Sequence, residues 1–376
     1  MQSTQAVFTE ESGWRLADPT WQGGDLVLVF GSRERMEDPQ TIDDLRRLFG
    51  DAILFGCSTA GEIEDSCVLD DSVVATAIRF ERASVRVESA ALPSVADSYQ
   101  VARSLAQSLD REDLKHVLVL AEGLRVNGSA LSRGLRDGLS DSVSVTGGLS
   151  GDSDRFARTL VLAGEGAAEN RVAVLGLYGA IRTGCASLGG WDCFGPERRV
   201  TRSEGSVLYE LDGKSALEIY KRYLGEHSAN LPASALLFPL SLRTPDVSGI
   251  VRTILSVDEE RGSMTFAGDI PEGALARLMI ANFEHLIDGA QSAADLSRTA
   301  LRERETELAL LVSCVGRKLI LKGRVDEEIE AVRRVLGPGP VLAGFYSYGE
   351  ISPFTPSGKC ELHNQTMTIT TLAEVD

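Results

Sequence analysis

Three stretches of the chain end an apolar run in small residues and one carboxylate: ILFGCSTAGEI (53–63), VSVTGGLSGDSD (143–154) and VLAGFYSYGEISPF (341–354). Glycine permits positive φ and lets a ligand approach backbone N–H groups closely. Each turn also offers an acid, Glu62, Asp152 or Glu350. The Gly-to-acid spacing is one residue shorter in the second stretch, counted from Gly147. Gly56, Ser58, Thr59, Gly61 and Glu62 in the first turn, and Gly148, Ser150 and Asp152 in the second, are candidate ligand-binding residues. Together such turns would line one pocket for a small polar ligand. The same glycines also suit tight β-connections that bind nothing.

Such turns need strands behind them. DLVLVFGS (25–32) reads as a buried strand and 38–50 as a helix, with Thr41 as its cap and Gly50 as its end. SVVATAIRF (72–80) and SVRVESAAL (84–92) follow as strands. The pattern restarts with strand 115–123, helix 127–139, and strands 157–164 and 171–179. It restarts again with strand 307–317, helix 325–337 and strand 361–372. Strand, helix and returning strand imply a parallel pair with a right-handed crossover. The expected fold is α/β, with mixed sheets built from three strand–helix–strand–Gly turn–strand repeats in two domains. Ligands in such sheets bind at the carboxyl ends of parallel strands, where the Gly turns fall.

Different material separates the second and third copies. Residues 190–213 read as hairpins, and 215–225 as a helix with Ser215 and Glu218 in capping-box spacing. The Pro-punctuated 231–243 is the expected domain junction, and 249–273 a hairpin. Residues 273–305 read as one long or broken helix, with Gly289 as the break.

Composition narrows the function. A chain of 376 residues is long enough for two domains. Its net charge of −17 repels phosphate backbones and anionic headgroups, so nucleic acid and membrane are not expected partners. No apolar run has membrane-span length and the N-terminus does not resemble a signal peptide, so a cytoplasmic location is expected. The six cysteines (57, 67, 185, 193, 314, 360) contain no C-x-x-C pair. GGLSG (147–151) is not G-x-S-x-G, and GKS (213–215) lacks the P-loop glycine. Cys57 has no neighbouring base to activate it. His116, His227, His285 and His363 show no metal-binding spacing. The expectation is therefore no enzyme, no metal and no cofactor. The alternative from another class is an enzyme acting in the inter-repeat cleft through Cys57 or Ser150.

The ordered set GCSTAGEI, GWDCFGP, VTRSEGSVLYELDGKSALEIYKRYLG, LLFPL, GFYSYGEISPF and LHNQTMTITTL closely resembles the FIST family of bacterial sensory proteins over residues 25–372. The resemblance implies a lead-in (1–24), a FIST-N-like domain (25–225) and a FIST-C-like domain (226–376). It implies a non-enzymatic sensor of an amino-acid-like or other small polar ligand. Its output would be a separate histidine kinase, diguanylate cyclase or chemoreceptor. It also implies an alternative, a heme-binding nitric-oxide sensor of NosP type, for which His227, then His285, is the candidate axial ligand. In the C-terminal motif, Tyr346, Tyr348, Glu350, His363, Asn364 and Gln365 are further candidate ligand-binding residues. Glu350 suits an ammonium group, and the Asn, Gln and Tyr side chains suit a carboxylate or amide. In an alternating strand His363 and Gln365 point one way and Asn364 and Thr366 the other.

Overall fold

The structure is a computed structural model that describes residues 1–164, 166–231, 233–244, 248–302, 304–353 and 358–375. The first unit contains β1 (Gln2–Thr9), β2 (Gly13–Leu16), β3 (Leu26–Gly31), α1 (Arg33–Glu37), α2 (Pro39–Phe49), β4 (Ile53–Ser58), β5 (Glu62–Glu64), β6 (Cys67–Leu69) and β7 (Val73–Arg79). The second contains β8 (Ala83–Ala91), α3 (Ser98–Leu109), β9 (Leu114–Ala121), α4 (Gly128–Gly138), β10 (Ser144–Leu149), β11 (Val161–Ala163), β12 (Gly166–Ala168) and β13 (Arg171–Gly179). The third opens with β14 (Ile181–Leu188) and is then interrupted. The insert holds β15 (Asp192–Glu204), β16 (Val207–Leu211), β17 (Lys214–Ser215), α5 (Ala216–Leu224), β18 (Leu240–Arg243), β19 (Ser248–Arg252), β20 (Ile254–Asp258), β21 (Ser263–Phe266) and β22 (Leu275–Ile280). The third unit resumes with α6 (Phe283–Ala300), β23 (Leu308–Cys314), α7 (Val315–Leu321), α8 (Val325–Leu336), β24 (Val341–Ser347), β25 (Gly349–Pro353), β26 (Cys360–His363) and β27 (Met367–Glu374).

Each unit builds the expected parallel pair: β3 with β4, β9 with β10, β23 with β24. The strand after the Gly turn then leaves its own sheet. β5 pairs antiparallel with β24, β11 with β4, and β25 with β10. Each unit thus places a hairpin on another unit's sheet, and the three exchanges close a cycle. The resulting orders are β12-β11-β4-β3-β7-β1-β2, β26-β25-β10-β9-β13-β8 and β14-β27-β23-β24-β5-β6.

The parallel strands are apolar on both faces because both faces are covered. Leu26, Leu28 and Phe30 of β3, Leu118 and Leu120 of β9, and Leu308, Leu310 and Val312 of β23 meet in one shared core. The alternate residues pack outward. Val27 and Val29 join Leu45 and Phe49 of α2. Val117 and Val119 meet Leu105 of α3 and Leu131 of α4, and Leu311 lies in the same cluster as Ile329 of α8. Gly56, Gly147 and Gly344 stand opposite Val29, Val119 and Leu311 in the three parallel pairs. A Cβ on them would lie 1.8, 1.9 and 2.0 Å from the facing carbonyl oxygens. These glycines therefore let the paired strands approach.

The insert carries its own eight-stranded sheet and its own core around Leu208, Tyr220, Phe266 and Leu278. The expected division at 225/226 falls inside it, between α5 and β18, and β15 before that point pairs with β22 after it. Within the expected lead-in, β1 pairs with β7 over seven residues and carries β2 on its other side. The helix at 38–50 is capped by Asp38, which accepts from Gln40 N at 3.0 Å, with Pro39 at its first position; Thr41 is buried inside it. The long helix expected over 273–305 begins only at Phe283, where Asn282 caps it. Before that, Leu275–Ile280 forms β22 because β15 and β18 offer partners on both edges. Gly289 does not break α6; it packs on the Gly189–Gly190 backbone. The strand expected over 361–372 is two strands, parted by a turn in which Gln365 has φ 62°. The alternation proposed for His363 to Thr366 therefore does not apply. The sequence reading missed α3, and it missed α7, which begins at Val315 inside the strand expected over 307–317.

Candidate functional site

The three Gly turns meet. Gly151 N–H donates to Ser58 O (2.8 Å) and Ser153 N–H to Thr59 O (3.2 Å). Ala60 N–H donates to Tyr346 O and Tyr346 N–H to Gly61 O, both at 2.8 Å, and Tyr348 N–H donates to Leu149 O (3.1 Å). These turn amides bind one another rather than facing an opening. Ser58 Oγ donates to Gly151 O (2.8 Å) and Ser150 Oγ to Ala121 O (3.0 Å). A Cβ on Gly61 would meet Lys318 Nζ at 2.5 Å, and one on Gly148 would meet Val312 at 2.7 Å.

The three acids are buried but differently compensated. Glu62 accepts from the Thr59 hydroxyl, from Ser72 N (3.3 Å) and from Ser72 Oγ (2.7 Å). Glu350 accepts from Ser347 Oγ (2.6 Å), Thr366 N (3.1 Å) and Thr366 Oγ1 (2.9 Å). Burial pushes the Glu62 carboxyl up to about 7 and that of Glu350 up to about 8, against the lowering effect of those hydrogen bonds. Asp152 instead binds two guanidinium groups, Arg33 at 3.2 Å and Arg155 at 2.6 Å.

The C-terminal candidates lie in the same interior. Tyr346 donates to Glu328 at 2.5 Å, and Glu328 is ion-paired with Arg317 at 2.8 Å, both side chains fully buried. His363 Nε2 lies 2.7 Å from Ser352 O; burial lowers its pKa to about 4, so the neutral ring donates there. Asn364 and Gln365 are different. Both side-chain amides are buried, and none of their four polar atoms has a hydrogen-bond partner among the described residues. An unmatched buried polar group costs about 1–3 kcal/mol. Asn364 Nδ2 lies 3.5 Å from the Cβ position of Gly349, beside Leu149.

Leu149 and Tyr348 reach a cleft of about 310 Å³ between the second unit and the insert. It opens at the carboxyl ends of the parallel pair β9 and β10, the end at which open α/β sheets bind ligands. Gly123, Leu124, Asn127 and Gly128 form one wall; Phe266, Gly268 and Asp269 form the other. Val95, Leu124, Phe156 and Leu255 line it, each 37–50% exposed, and they are four of the six exposed large apolar side chains among the described residues. Phe156, at φ 49°, stacks on Tyr348 with centroids 4.4 Å apart and planes 18° from parallel. Tyr348 OH accepts from Phe156 N (3.2 Å) and donates to Ser153 O (3.1 Å), which fixes the pair.

Polar groups collect at one end. Asn127 caps α4 through Ala130 N (2.9 Å) and donates Nδ2 to Asp269 Oδ1 (3.1 Å). The first-turn amides of Gly128 and Ser129 have no partner within the helix. Behind Gly268, Arg252 is 4% exposed and donates to Leu362 O (2.9 Å), Asp269 O (3.3 Å) and Ser129 Oγ (3.5 Å). It has no carboxylate at ion-pair distance among the described residues. Burial lowers its pKa to about 10, so it stays cationic at neutral pH.

Of the ligand-binding candidates read from the three turns and the C-terminal motif, only Tyr348 lines this cleft; the others lie in the packed interior. Phe156, Asp269 and Arg252 were missed, and Asn127 was read as part of a helix start alone. A larger hollow of about 700 Å³ beside α2 and β12 contains none of the sequence candidates. His227 is exposed and packs against Phe238, with ring centroids 5.3 Å apart and planes tilted by 47°. His285 is exposed and bound to Asp192 at 2.8 Å. Neither lines the two hollows described above. No group of three metal-ligating side chains occurs among the described residues. Cys57 is fully buried and burial pushes its thiol well above the usual range, which disfavours a nucleophile.

The chain is thus a three-sheet α/β body with an inserted domain and a cleft at their seam. The FIST N domain profile matches residues 25–214 and the FIST C domain profile residues 216–353. The chain belongs to the FIST family, whose domains are sensory modules of signal transduction. It is also similar to an uncharacterized protein of Methanocaldococcus jannaschii, 30% identical over 151 residues, or 35% of this chain. The chain spans 27% of the length of that relative in this match. Among solved structures, cyanuric acid hydrolase from A. caulinodans superposes over 94% of this chain and 90% of its own, with TM-score 0.36 and 9% identity. A likeness that distant says nothing about activity. No helix among the described residues is long and apolar enough to cross a membrane.

Proposed function

We propose that this protein is a cytoplasmic sensor that takes an amino-acid-like ligand in the cleft between the second unit and the insert. One observation carries the reading: a cleft of about 310 Å³ gathers four of the six exposed large apolar side chains around a polar end. The ligand's apolar part lies against Phe156 and Tyr348, its carboxylate turns to the first turn of α4 and Arg252, and its ammonium group turns to Asp269. Because the two walls belong to different cores, occupancy changes how the insert is held against the body. A separate output protein, of histidine kinase, diguanylate cyclase or chemoreceptor type, reads that change. In this reading the protein is not an enzyme and needs no cofactor. The raised thiol of Cys57 and the bond from Ser150 to Ala121 O support it.

A thermal-shift screen of amino acids and related small metabolites tests the reading, followed by titration calorimetry of each hit. Saturable binding, lost in Phe156→Ala and weakened in Asp269→Asn, is expected. A screen in which no compound raises the melting temperature, or binding indifferent to Phe156→Ala, would overturn it.

A further inference from the structure

The second sheet ends in β8, and that edge is bare. β8 pairs with β13 from Ala83 to Ala91 and with no other strand among the described residues. None of its nine residues is buried. In the first sheet the corresponding strand, β1, carries β2 on its outer side, paired from Ala6 to Thr9. No strand among the described residues fills the corresponding place beside β8.

The ladder determines which backbone groups face outward. Leu92 N–H donates inward to Asn170 O, and Ala83 N–H donates to the Glu374 carboxylate at 2.7 Å. Alternation then turns the N–H and C=O groups of Val85, Val87 and Ser89 outward. An edge of this length is a template for another strand.

We propose that β8 pairs antiparallel with β8 of a second copy of this chain, joining two six-stranded sheets across a two-fold axis. The strand reads ASVRVESAA, and it is complementary to itself about Val87. In that register Val87 faces Val87 of the partner subunit and Val85 faces Ser89 of the partner subunit, as hydrogen-bonded pairs. Arg86 faces Glu88 of the partner subunit, and the symmetry repeats the pair. These positions are non-hydrogen-bonded pairs, where facing side chains come closest and opposite charges are favourable. Centring the pairing on Arg86 or on Glu88 would set like charges opposite each other, so register and partner are specified together. Arg86 and Glu88 pair within the strand and remain 37% and 32% exposed, so both are accessible to a second chain. A basic partner would suit the chain's net charge of −17, but the charges of β8 itself cancel.

Sedimentation of the full chain from about 1 to 100 µM tests this by mass action. A concentration-dependent dimer is expected. Arg86→Glu should raise its dissociation constant about tenfold or more, because two symmetric pairs become repulsive. The double change Arg86→Glu with Glu88→Arg should restore it. Val87→Pro should leave a folded monomer, since its N–H faces away from β13 and edge strands tolerate proline. A monomer throughout the range overturns the proposal. So does a dimer indifferent to Arg86→Glu, or one that the double change fails to restore.

Discussion

Replacing Glu350 by Gln should change the pH dependence of stability more than stability at any one pH. The carboxyl sits between Ser347 and Thr366, fully buried, and its pKa is raised from 4.5 to about 8. At about 1.4 kcal/mol per pH unit, this linkage is worth about 5 kcal/mol as an upper bound. Its sign follows from which state holds the proton. Between pH 4.5 and about 8 the folded chain keeps it and the unfolded chain has released it, so stability falls as pH rises through that window. Glu62, raised to about 7, acts in the same direction over a narrower range. His116 and His363, lowered by burial to about 3 and about 4, act oppositely: stability is lost as pH falls below 6.5. The difference between Glu350→Gln and the parent chain cancels those contributions. Urea unfolding at constant ionic strength, at about pH 5, 6.5 and 8, measures it. The variant should gain on the parent steadily with pH, by several kcal/mol in all. A constant difference across the series, or a variant that falls further behind the parent as pH rises, would refute a neutral carboxyl at this position.

Gly344→Ala would place a methyl group 2.0 Å from Leu311 O and should cost about 3 kcal/mol or more, while Gly323→Ala, with nothing within 4 Å, should cost little; melting temperatures of both variants check this. Arg317→Ala strands the buried Glu328 carboxylate and should cost about 3–5 kcal/mol, more than the paired change Arg317→Met with Glu328→Gln, as denaturant midpoints would report. A thiol-reactive dye should label exposed Cys67 and Cys193 in the folded protein and leave Cys57, Cys185, Cys314 and Cys360 until it is unfolded; mass spectrometry of the labelled peptides decides.

The parallel pairs were legible because a strand buried on both faces must be an unbroken apolar run, as in LVLVFG and LALLVSC. The exchange of hairpins was not. Nothing local to Glu62–Glu64 indicates that its partner is Ala343–Phe345. LARLMI reads equally well as helix or strand, and the edges of β15 and β18 decide it. Glycine in the three turns was read as access for a ligand, but its repeated role is the approach of paired strands at Gly56, Gly147 and Gly344. Phe156 and Asp269 lie 113 residues apart and acquire a common surface only through the insert. No periodicity announces such a pair. Asn364 and Gln365 were singled out within the C-terminal motif, and they are the candidates whose side-chain amides find no hydrogen-bond partner among the described residues.

The closed exchange of hairpins also constrains how such a molecule can be divided. A single unit cut from the chain would have one hairpin with no sheet to join and one sheet edge with no hairpin to receive. Two units joined end to end would still leave one of each. Only a ring of three satisfies every donor and every edge, whether its members share one chain or three. The polypeptide links between units are therefore dispensable to the pattern, and complementary fragments split between β7 and β8, or between β13 and β14, should reassemble the same three sheets.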